Sequence, residues 1–297
     1  MDKRTVALLA AFGASLIYAI NHTLAKGVMP TYIKPFGFIL LRVIGAAALF
    51  WLASIWAPKQ KIERGDWLRI FGCAIFGMVI NMLMFFKGLQ LSTPINSSVM
   101  ITISPILVFI LSAIFLSEKI TLLRSIGILL GFSGALGLIL FGAETRQDAP
   151  NIPLGNILFI INAASYAIYL VLVKPLTAKY HSFTLMKWFF LIGVIINFPI
   201  TISEFSEVQW TTLPYDVIWK MIFVVIGTTF FTYLLNVFAL KTLKASTIGA
   251  FIYLQPLLAI SFAMAMGADS LNLVKIISAI LVFLGVYLVT KKPKKLA

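Results

Sequence analysis

The chain has 297 residues, of which 61% are hydrophobic and 11% charged, and its mean hydropathy is +1.01. Soluble domains carry about 25% charged residues, so the composition excludes a water-soluble globular protein and indicates one embedded in lipid. The formal charge of +14 does not indicate nucleic-acid binding, because the lysines and arginines lie between apolar runs rather than on one basic face. The single cysteine, Cys73, excludes an intrachain disulfide and, alone in an apolar run, suggests no metal site.

Long apolar runs follow one another along the whole chain. A helix crosses a bilayer core with about 20 mainly apolar residues, and the runs are continuous rather than alternating, which favours helices over barrel strands. The first run, from Thr5, has no cleavage site after it that stands out, so we interpret it as a span and not as a signal peptide. Ten spans are predicted, near residues 5–23, 35–56, 67–86, 93–116, 121–141, 154–173, 184–203, 215–238, 246–267 and 272–290.

The positive charges predict the orientation of these spans. With a cytoplasmic N-terminus, the cytoplasmic segments hold seventeen lysines and arginines and the opposite segments hold six, while Arg42 falls inside a span. Short cytoplasmic loops carry such an excess in membrane proteins. The sequence therefore predicts a multi-pass protein of the cell (inner) membrane, with both termini in the cytoplasm and an even number of spans.

The two halves of the chain repeat each other. Tyr18–Lys26 and Tyr166–Lys174 agree at five of nine positions. Further on, an offset of 151 pairs residues of special chemistry: Pro105 with Pro256, Glu118 with Asp269, Arg124 with Lys275, Phe132 with Phe283 and Gly134 with Gly285. The predicted halves are 1–144 and 151–297, joined by a polar segment. Five spans in each half put the second half upside down, and inverted repeats are typical of secondary transporters with a site near the midplane.

Several short motifs occur in a fixed order along the first half: Phe85-Phe86-Lys87-Gly88-Leu89, Ser104-Pro105-Ile106-Leu107, Leu116-Ser117-Glu118, and then Gly127, Gly131 and Gly134. With the duplication, this order resembles the EamA family of the drug/metabolite transporter superfamily over nearly the whole chain. The family's repeat has an aromatic and a Lys in its first helix, an Arg in the second, a small residue before Leu at the end of the third, Pro in the fourth and an acid before the fifth. The matching positions are Tyr18, Lys26, Arg42, Gly88-Leu89, Pro105 and Glu118, then Tyr166, Lys174, Ala239-Leu240, Pro256 and Asp269.

The resemblance implies ten helices and transport of small metabolites, often export of amino acids or related compounds. The chain departs from the family pattern in having Tyr18 where Trp is frequent, Asp269 in place of Glu, and Lys187 where an Arg is expected. These departures bear on the substrate more than on the fold.

Ionisable groups inside a membrane usually serve function, and here they are few. No Asp or Glu lies near the middle of a predicted span, which disfavours proton coupling through a buried carboxylate. Arg42 lies seven residues inside Pro35, about 10 Å deep at 1.5 Å per residue. Its side chain either extends to the membrane interface, or pairs with another group of the protein in a structural role, or contacts an anionic group of the substrate.

Neutral polar side chains give the candidate substrate site: Tyr18, Asn21, Asn81, Ser104, Tyr166, Thr232, Tyr233, Tyr253 and Gln255. Phenols and amides bind the polar ends of a metabolite without the cost of a fixed buried charge, although the same groups also bond helices together. Asn81 and Thr232 are related by the repeat, and Ser104 and Gln255 each precede a proline that frees a carbonyl and allows a bend.

Transport by alternating access, in the direction of export, is the predicted function. A facilitated uniporter and a carrier of drugs or nucleoside-type solutes are the alternatives. An intramembrane enzyme is a remote alternative, because the sequence holds no recognisable catalytic constellation, and no catalytic residue, metal ligand or cofactor is predicted. The expected partners are the lipid bilayer and a small-molecule substrate. The glycines of the fifth span predict either packing on the tenth span or contact in a homodimer.

Overall fold

The computed structural model describes residues 2–92, 97, 100–141, 150–265 and 273–291. These residues form ten helical segments and no strand. They are α1 (Lys3–Lys26), α2 (Pro35–Ala53), α3 (Arg64–Leu91), α4 (Ser104–Leu116), α5 (Leu122–Phe141), α6 (Ile152–Lys179), α7 (Ser182–Ser206), α8 (Tyr215–Leu240), α9 (245–265) and α10 (Leu273–Thr290), with a short 3-10 turn at Trp210–Thr212. Residues 142–149 of the predicted joint at 142–153 and the predicted acid Asp269 lie outside the described residues, as do the side chains of Lys26 and Lys275.

The helices have the length and composition of membrane helices. Six of them, α1, α2, α3, α6, α7 and α8, are long and apolar enough to cross a membrane. Over the residues described with their side chains, the other four are shorter apolar helices. Large apolar side chains such as Leu68, Ile195 and Phe283 are more than half exposed on the outside of the bundle, where lipid rather than water suits them. The chain is an all-helical, multi-pass membrane protein.

Three of the helices depart from regular α geometry at matching places. In α3 the segment Ile75–Ile80 is π-helical, and in α8 the segment Val224–Phe231 is π-helical. Helix α9 consists of Ala245–Ala250, a 3-10 turn at Phe251–Tyr253, and Leu254–Ala265. The helical pattern before α4 is likewise interrupted, at residues 102–103. The predicted single spans at 93–116 and 246–267 are therefore interrupted just ahead of their prolines. Proline has no backbone N–H, so it cannot donate the hydrogen bond that would continue the helix.

The main helix contacts have counterparts when α1–α5 are exchanged with α6–α10 in order. Helix α2 packs on α7, and α5 packs on α10. The contact of α3 with α6 has its counterpart in α8 with α1, and the contact of α4 with α6 has its counterpart in α9 with α1. The core lies where α1, α2, α3, α6, α7 and α8 meet.

Side-chain contacts show which helix ends lie together. The Arg4 guanidinium donates to the Thr290 carbonyl, so the start of α1 and the end of α10 share one end of the bundle. The Lys179 ammonium, at the end of α6, lies 2.9 Å from the Asp66 carboxylate at the start of α3. At the opposite end of α3, the Leu91 carbonyl accepts from the backbone N–H of Asn151, which precedes α6.

The predicted glycine face of α5 packs against α10. A Cβ built on Gly127 would lie 2.8 Å from the Gly285 carbonyl oxygen, and one on Gly134 would lie 2.8 Å from the Ser278 carbonyl oxygen. These distances leave no room for a larger residue, so the glycines bring the two backbones together. Of the two predicted roles for this face, the structure shows packing between the fifth and tenth helices.

Candidate functional site

A buried arginine lies in the core, where α2 faces α8. Arg42 on α2 is only 7% exposed, so it does not snorkel to the interface. Its Nε donates to Thr229 Oγ1 on α8 at 3.0 Å, and its Cζ lies 5.5 Å from the centre of the Phe86 ring. Among the described residues, no carboxylate lies within ion-pair distance of the guanidinium. The structural pairing predicted as an alternative is therefore a hydrogen bond to a neutral hydroxyl.

Four tyrosines cluster beside this arginine. Tyr18 on α1 and Tyr233 on α8 are within electrostatic reach of the Arg42 guanidinium, and Tyr18 also faces the Thr232 hydroxyl. The ring centres of Tyr166 and Tyr169 on α6 are 6.2 Å apart, and those of Tyr169 and Tyr233 are 6.3 Å apart. The structure thus brings four predicted residues together, namely Tyr18, Tyr166, Thr232 and Tyr233.

The candidate site predicted from the sequence does not include Tyr169, although this residue lies at the centre of the cluster. Its ring is 1% exposed and fills the space over Gly77, where a Cβ would come within 2.6 Å of the ring. Among the described residues its hydroxyl has no hydrogen-bond partner. An unpaired buried hydroxyl costs about 1–3 kcal/mol, and a polar ligand in the cluster would supply the missing partner. Its spacing of three residues from Tyr166 was the available signal, since i and i+3 share a helix face.

Two predicted amides make bonds between helices. The Asn21 side-chain carbonyl accepts from the Thr228 hydroxyl at 3.0 Å, which joins α1 to α8. The Asn81 amide donates to the Asn162 carbonyl at 3.3 Å, and the Asn162 amide donates back to the Asn81 carbonyl at 2.7 Å. The reciprocal pair joins α3 to α6. Both contacts fit the alternative reading of these residues as bonds between helices.

The remaining predicted residues lie along the interrupted helices. Ser104 is buried at the first turn of α4, and Gln255 is half-buried at the start of the last segment of α9. Tyr253 is buried with its ring over Gly131 on α5, and its hydroxyl has no partner among the described residues. No contact described for these three joins them to the tyrosine cluster.

The π-helical segment of α3 is held by side chains from the second half of the chain. The carbonyls of Phe76, Gly77 and Met78 accept hydrogen bonds from Ser165 at 2.6 Å, Tyr233 at 3.3 Å and Asn197 at 3.1 Å, on α6, α8 and α7. In α8, the Thr229 hydroxyl donates to the Val224 carbonyl at 2.8 Å. A π-helical turn leaves carbonyls without their usual partners and often marks a functional site. Sequence analysis did not predict either π segment.

Charged side chains hold the helix ends around the core. The Glu118 carboxylate accepts from the backbone N–H of Ala245 at 2.9 Å and from the Ser246 hydroxyl, so it caps the start of α9. The Lys174 ammonium donates to the carbonyls of Leu240 and of Leu243, the latter at 2.8 Å, at the end of α8. Outside the spans, a hydrogen bond from the Lys34 ammonium to Glu207 raises the pKa of Lys34. The part of the chain that the structure describes holds no group of three or more potential metal ligands.

Comparison with known proteins gives a consistent picture. The model of a family described as the EamA-like transporter family matches residues 5–140 and 153–291. An uncharacterized transporter of Archaeoglobus fulgidus is 28% identical over 88% of this chain and 90% of its own length. The uncharacterized transporter YyaM of Bacillus subtilis is 24% identical over 92% of this chain and 90% of its own length. A chain of known crystal structure superposes with a TM-score of 0.79 at 18% identity, covering 96% of both chains, and at that identity shows the fold alone.

Proposed function

Because this chain belongs to the EamA-like transporter family, we propose that it is a secondary transporter of a small organic metabolite. The substrate is an amino acid or a related compound, and the direction is export from the cell across the inner membrane. The family and the names of its relatives identify a membrane transporter. The substrate class, the direction and the mechanism are the proposal.

The transporter works by alternating access of two inverted five-helix halves, 1–144 and 151–297. Three features support this division. The helix contacts pair up when the halves are exchanged, both halves have a π segment in their third helix, and both fourth helices are interrupted before a proline. Similar halves of opposite orientation can rock between two arrangements of nearly equal free energy. The excess of lysine and arginine in alternate loops supports cytoplasmic termini.

The observation that carries the proposal is the polar cluster in the core between the halves. Arg42 and Tyr18 come from the first half, while Tyr166, Tyr169 and Tyr233 come from the second. Buried polar groups in a membrane protein are costly and usually functional. Phenol and guanidinium groups at the seam give a metabolite hydrogen-bond donors that neither half supplies alone. We place the substrate there, with Asn21, Asn81 and Thr232 beside it and Ser104, Tyr253 and Gln255 along the path.

The irregular helices supply the places where the halves change shape. A π segment or a proline break has fewer regular hydrogen bonds to lose than a straight helix. The carbonyls of the α3 segment are bonded to three helices of the other half. Rocking of the halves exchanges these side-chain bonds without unwinding an intact helix in the membrane.

The experiment begins with purified protein and a panel of metabolites, each tested for an increase in thermal stability. Solutes that stabilise the protein are then followed into proteoliposomes, with and without a pH gradient. Accumulation driven by the gradient supports a coupled carrier, whereas equilibration with counterflow and no response to the gradient supports a uniporter. The proposal fails if protein-containing liposomes take up no solute faster than empty liposomes do.

Variants locate the site within the same assay. Tyr233→Phe and Tyr18→Phe remove one hydroxyl each from the cluster and should lower uptake, with the folded yield unchanged. Tyr287→Phe is the matched control, because Tyr287 is 57% exposed on α10. Gln255→Ala and Asn81→Ala should also lower uptake. Wild-type uptake by all four site variants would remove the proposed site.

A further inference from the structure

The Arg42 guanidinium is a buried cation that the described protein does not neutralise. Burying a charge costs several kcal/mol unless it is paired, and buried arginines usually have a carboxylate partner. Described carboxylates are used elsewhere: that of Glu204, for example, accepts from the backbone N–H groups of Phe36 and Gly37 at the start of α2. In the described part of the chain, Arg42 makes one hydrogen bond, from Nε to Thr229.

The described groups around Arg42 are neutral and give the guanidinium one hydrogen-bond acceptor, the Thr229 hydroxyl. Thr229 already accepts from Nε, and its own hydroxyl donates to the Val224 carbonyl. Among the described residues, the ionisable groups that act electrostatically on the guanidinium are Tyr18 and Tyr233, and both are phenols, which are neutral at pH 7. The Tyr169 hydroxyl, next in the cluster, has no partner among the described residues. An anionic ligand would satisfy the arginine, and a ligand that also reaches Tyr169 would give its hydroxyl a partner.

We propose that Arg42 binds the carboxylate of the transported metabolite and so makes a carboxylate group a requirement for transport. This inference rests on the proposed function and adds to it the chemical group that the site selects. A guanidinium binds a carboxylate through two parallel hydrogen bonds, a geometry that lysine cannot reproduce. The phenol of Tyr18 contributes a further donor to the same anion, whereas the Tyr233 hydroxyl donates to the Gly77 carbonyl.

The charge of the site favours a monocarboxylate over a phosphate. A phosphate carries more negative charge and is usually held by several cations. Among the described residues, the other cations near the core are engaged elsewhere. Lys174 donates to carbonyls at the end of α8, and Lys187 lies 5.0 Å from the centre of the Trp51 ring. The single positive charge of Arg42 is balanced by the single negative charge of one carboxylate.

The test compares acids with their amides. The twenty proteinogenic L-amino acids and a set of simple monocarboxylic acids are each paired with the primary amide, in which an uncharged group of the same shape replaces the α-carboxylate. Binding to the purified protein is measured by thermal stability over a concentration series, and transport by competition for uptake in proteoliposomes. Loss of a hydrogen-bonded charge should make the amide of a bound acid weaker by about 10- to 150-fold.

Variants of the arginine complete the test. Arg42→Gln should weaken binding of the acid by a similar factor and leave the amide unchanged, whereas Arg42→Lys should recover part of the loss. Lys187→Gln is the control, because it removes a half-buried cation away from the cluster. If Arg42→Gln does not fold, the comparison of acid with amide on the wild-type protein still decides the question.

The outcomes separate this inference from the proposed function. Equal binding of acid and amide, or a wild-type response of Arg42→Gln to the acid, overturns the carboxylate inference. Transport only of solutes that have no carboxylate overturns it too, and leaves the proposed transport function intact. If the wild-type protein transports no solute at all, the proposed function itself is wrong.

Discussion

The contact between α5 and α10 allows a direct test of the packing. A methyl group at Gly285 would stand 2.5 Å from the Gly131 backbone nitrogen and 2.6 Å from the Gly127 carbonyl oxygen. Backbone atoms cannot rotate away as a side chain can, so Gly285→Ala must push the two helices apart. Ordinary contact begins near 3.4 Å, so the separation needed is about 1 Å.

The size of the effect follows from two opposing contributions. Alanine is favoured over glycine in a helix interior by about 1 kcal/mol, whereas overpacking costs about 1–3 kcal/mol. The clash here is with backbone on two neighbouring turns, which puts the cost at the upper end. We therefore expect Gly285→Ala to lower the free energy of unfolding by about 2 kcal/mol. The main loss is of dispersion contacts along the seam, since lipid provides no hydrophobic force between helices.

Cys73 makes the assay simple. It is the one cysteine of the chain and is 0% exposed, so a thiol-reactive fluorophore reacts with it as the protein unfolds. The control is Gly13→Ala on α1, whose methyl group would meet only Leu235 Cδ1 at 3.8 Å. The control should be as stable as the wild type or more stable, and Gly285→Ala less stable. Equal stabilities of Gly285→Ala and the control would refute the close approach of α5 and α10.

Three further substitutions test local features of the structure. Ser117 has a left-handed backbone, with φ 53° and ψ 32°, so Ser117→Gly should raise thermal stability by about 1 kcal/mol; an unchanged or lower unfolding temperature contradicts this. Lys174→Met removes charged hydrogen bonds to carbonyls at the end of α8 and should cost about 1.5–3 kcal/mol, more than Lys187→Met; equal losses would refute the reasoning. Burial, with a smaller effect of Lys241, lowers the pKa of His181. Because the folded protein resists protonation of His181, its free energy of unfolding should fall as the pH drops below the ordinary His pKa. In urea titrations, the His181→Gln variant should show a smaller fall. A fall of the same size in His181→Gln contradicts the burial of His181.

Composition and periodicity were sufficient to predict the helical membrane class, because lipid permits few structures. The family resemblance predicted from the ordered motifs is confirmed by the family match. The repeat register also identified Asn81 and Thr232, and each residue directly follows the π segment of its helix. The alignment of the two halves depends on residue types that are rare in this chain, so it could be recognised from the sequence alone.

Other features depend on tertiary contacts and could not be predicted from the sequence. The π segments depend on side chains such as Asn197, which reaches the Met78 carbonyl from a helix more than a hundred residues away. The sequence could not decide whether the Arg42 side chain is buried or extends to the membrane interface, since its position within the second span is the same in both cases. Likewise, Asn81 has the composition of a site residue, but its reciprocal bonds with Asn162 appear only when the helices are packed.

The opposite orientation of the two halves underlies the whole account, and cysteine labelling tests it most directly. In a Cys73→Ala background, single cysteines replace Thr31, after α1, and Ala178, at the end of α6, which are exposed positions at the ends of corresponding helices. A membrane-impermeant maleimide is applied to intact cells and to permeabilised cells. We predict that Thr31→Cys is labelled in intact cells and that Ala178→Cys is labelled only after permeabilisation. Labelling of both cysteines from the same side would mean that the halves are parallel, which contradicts the proposed carrier.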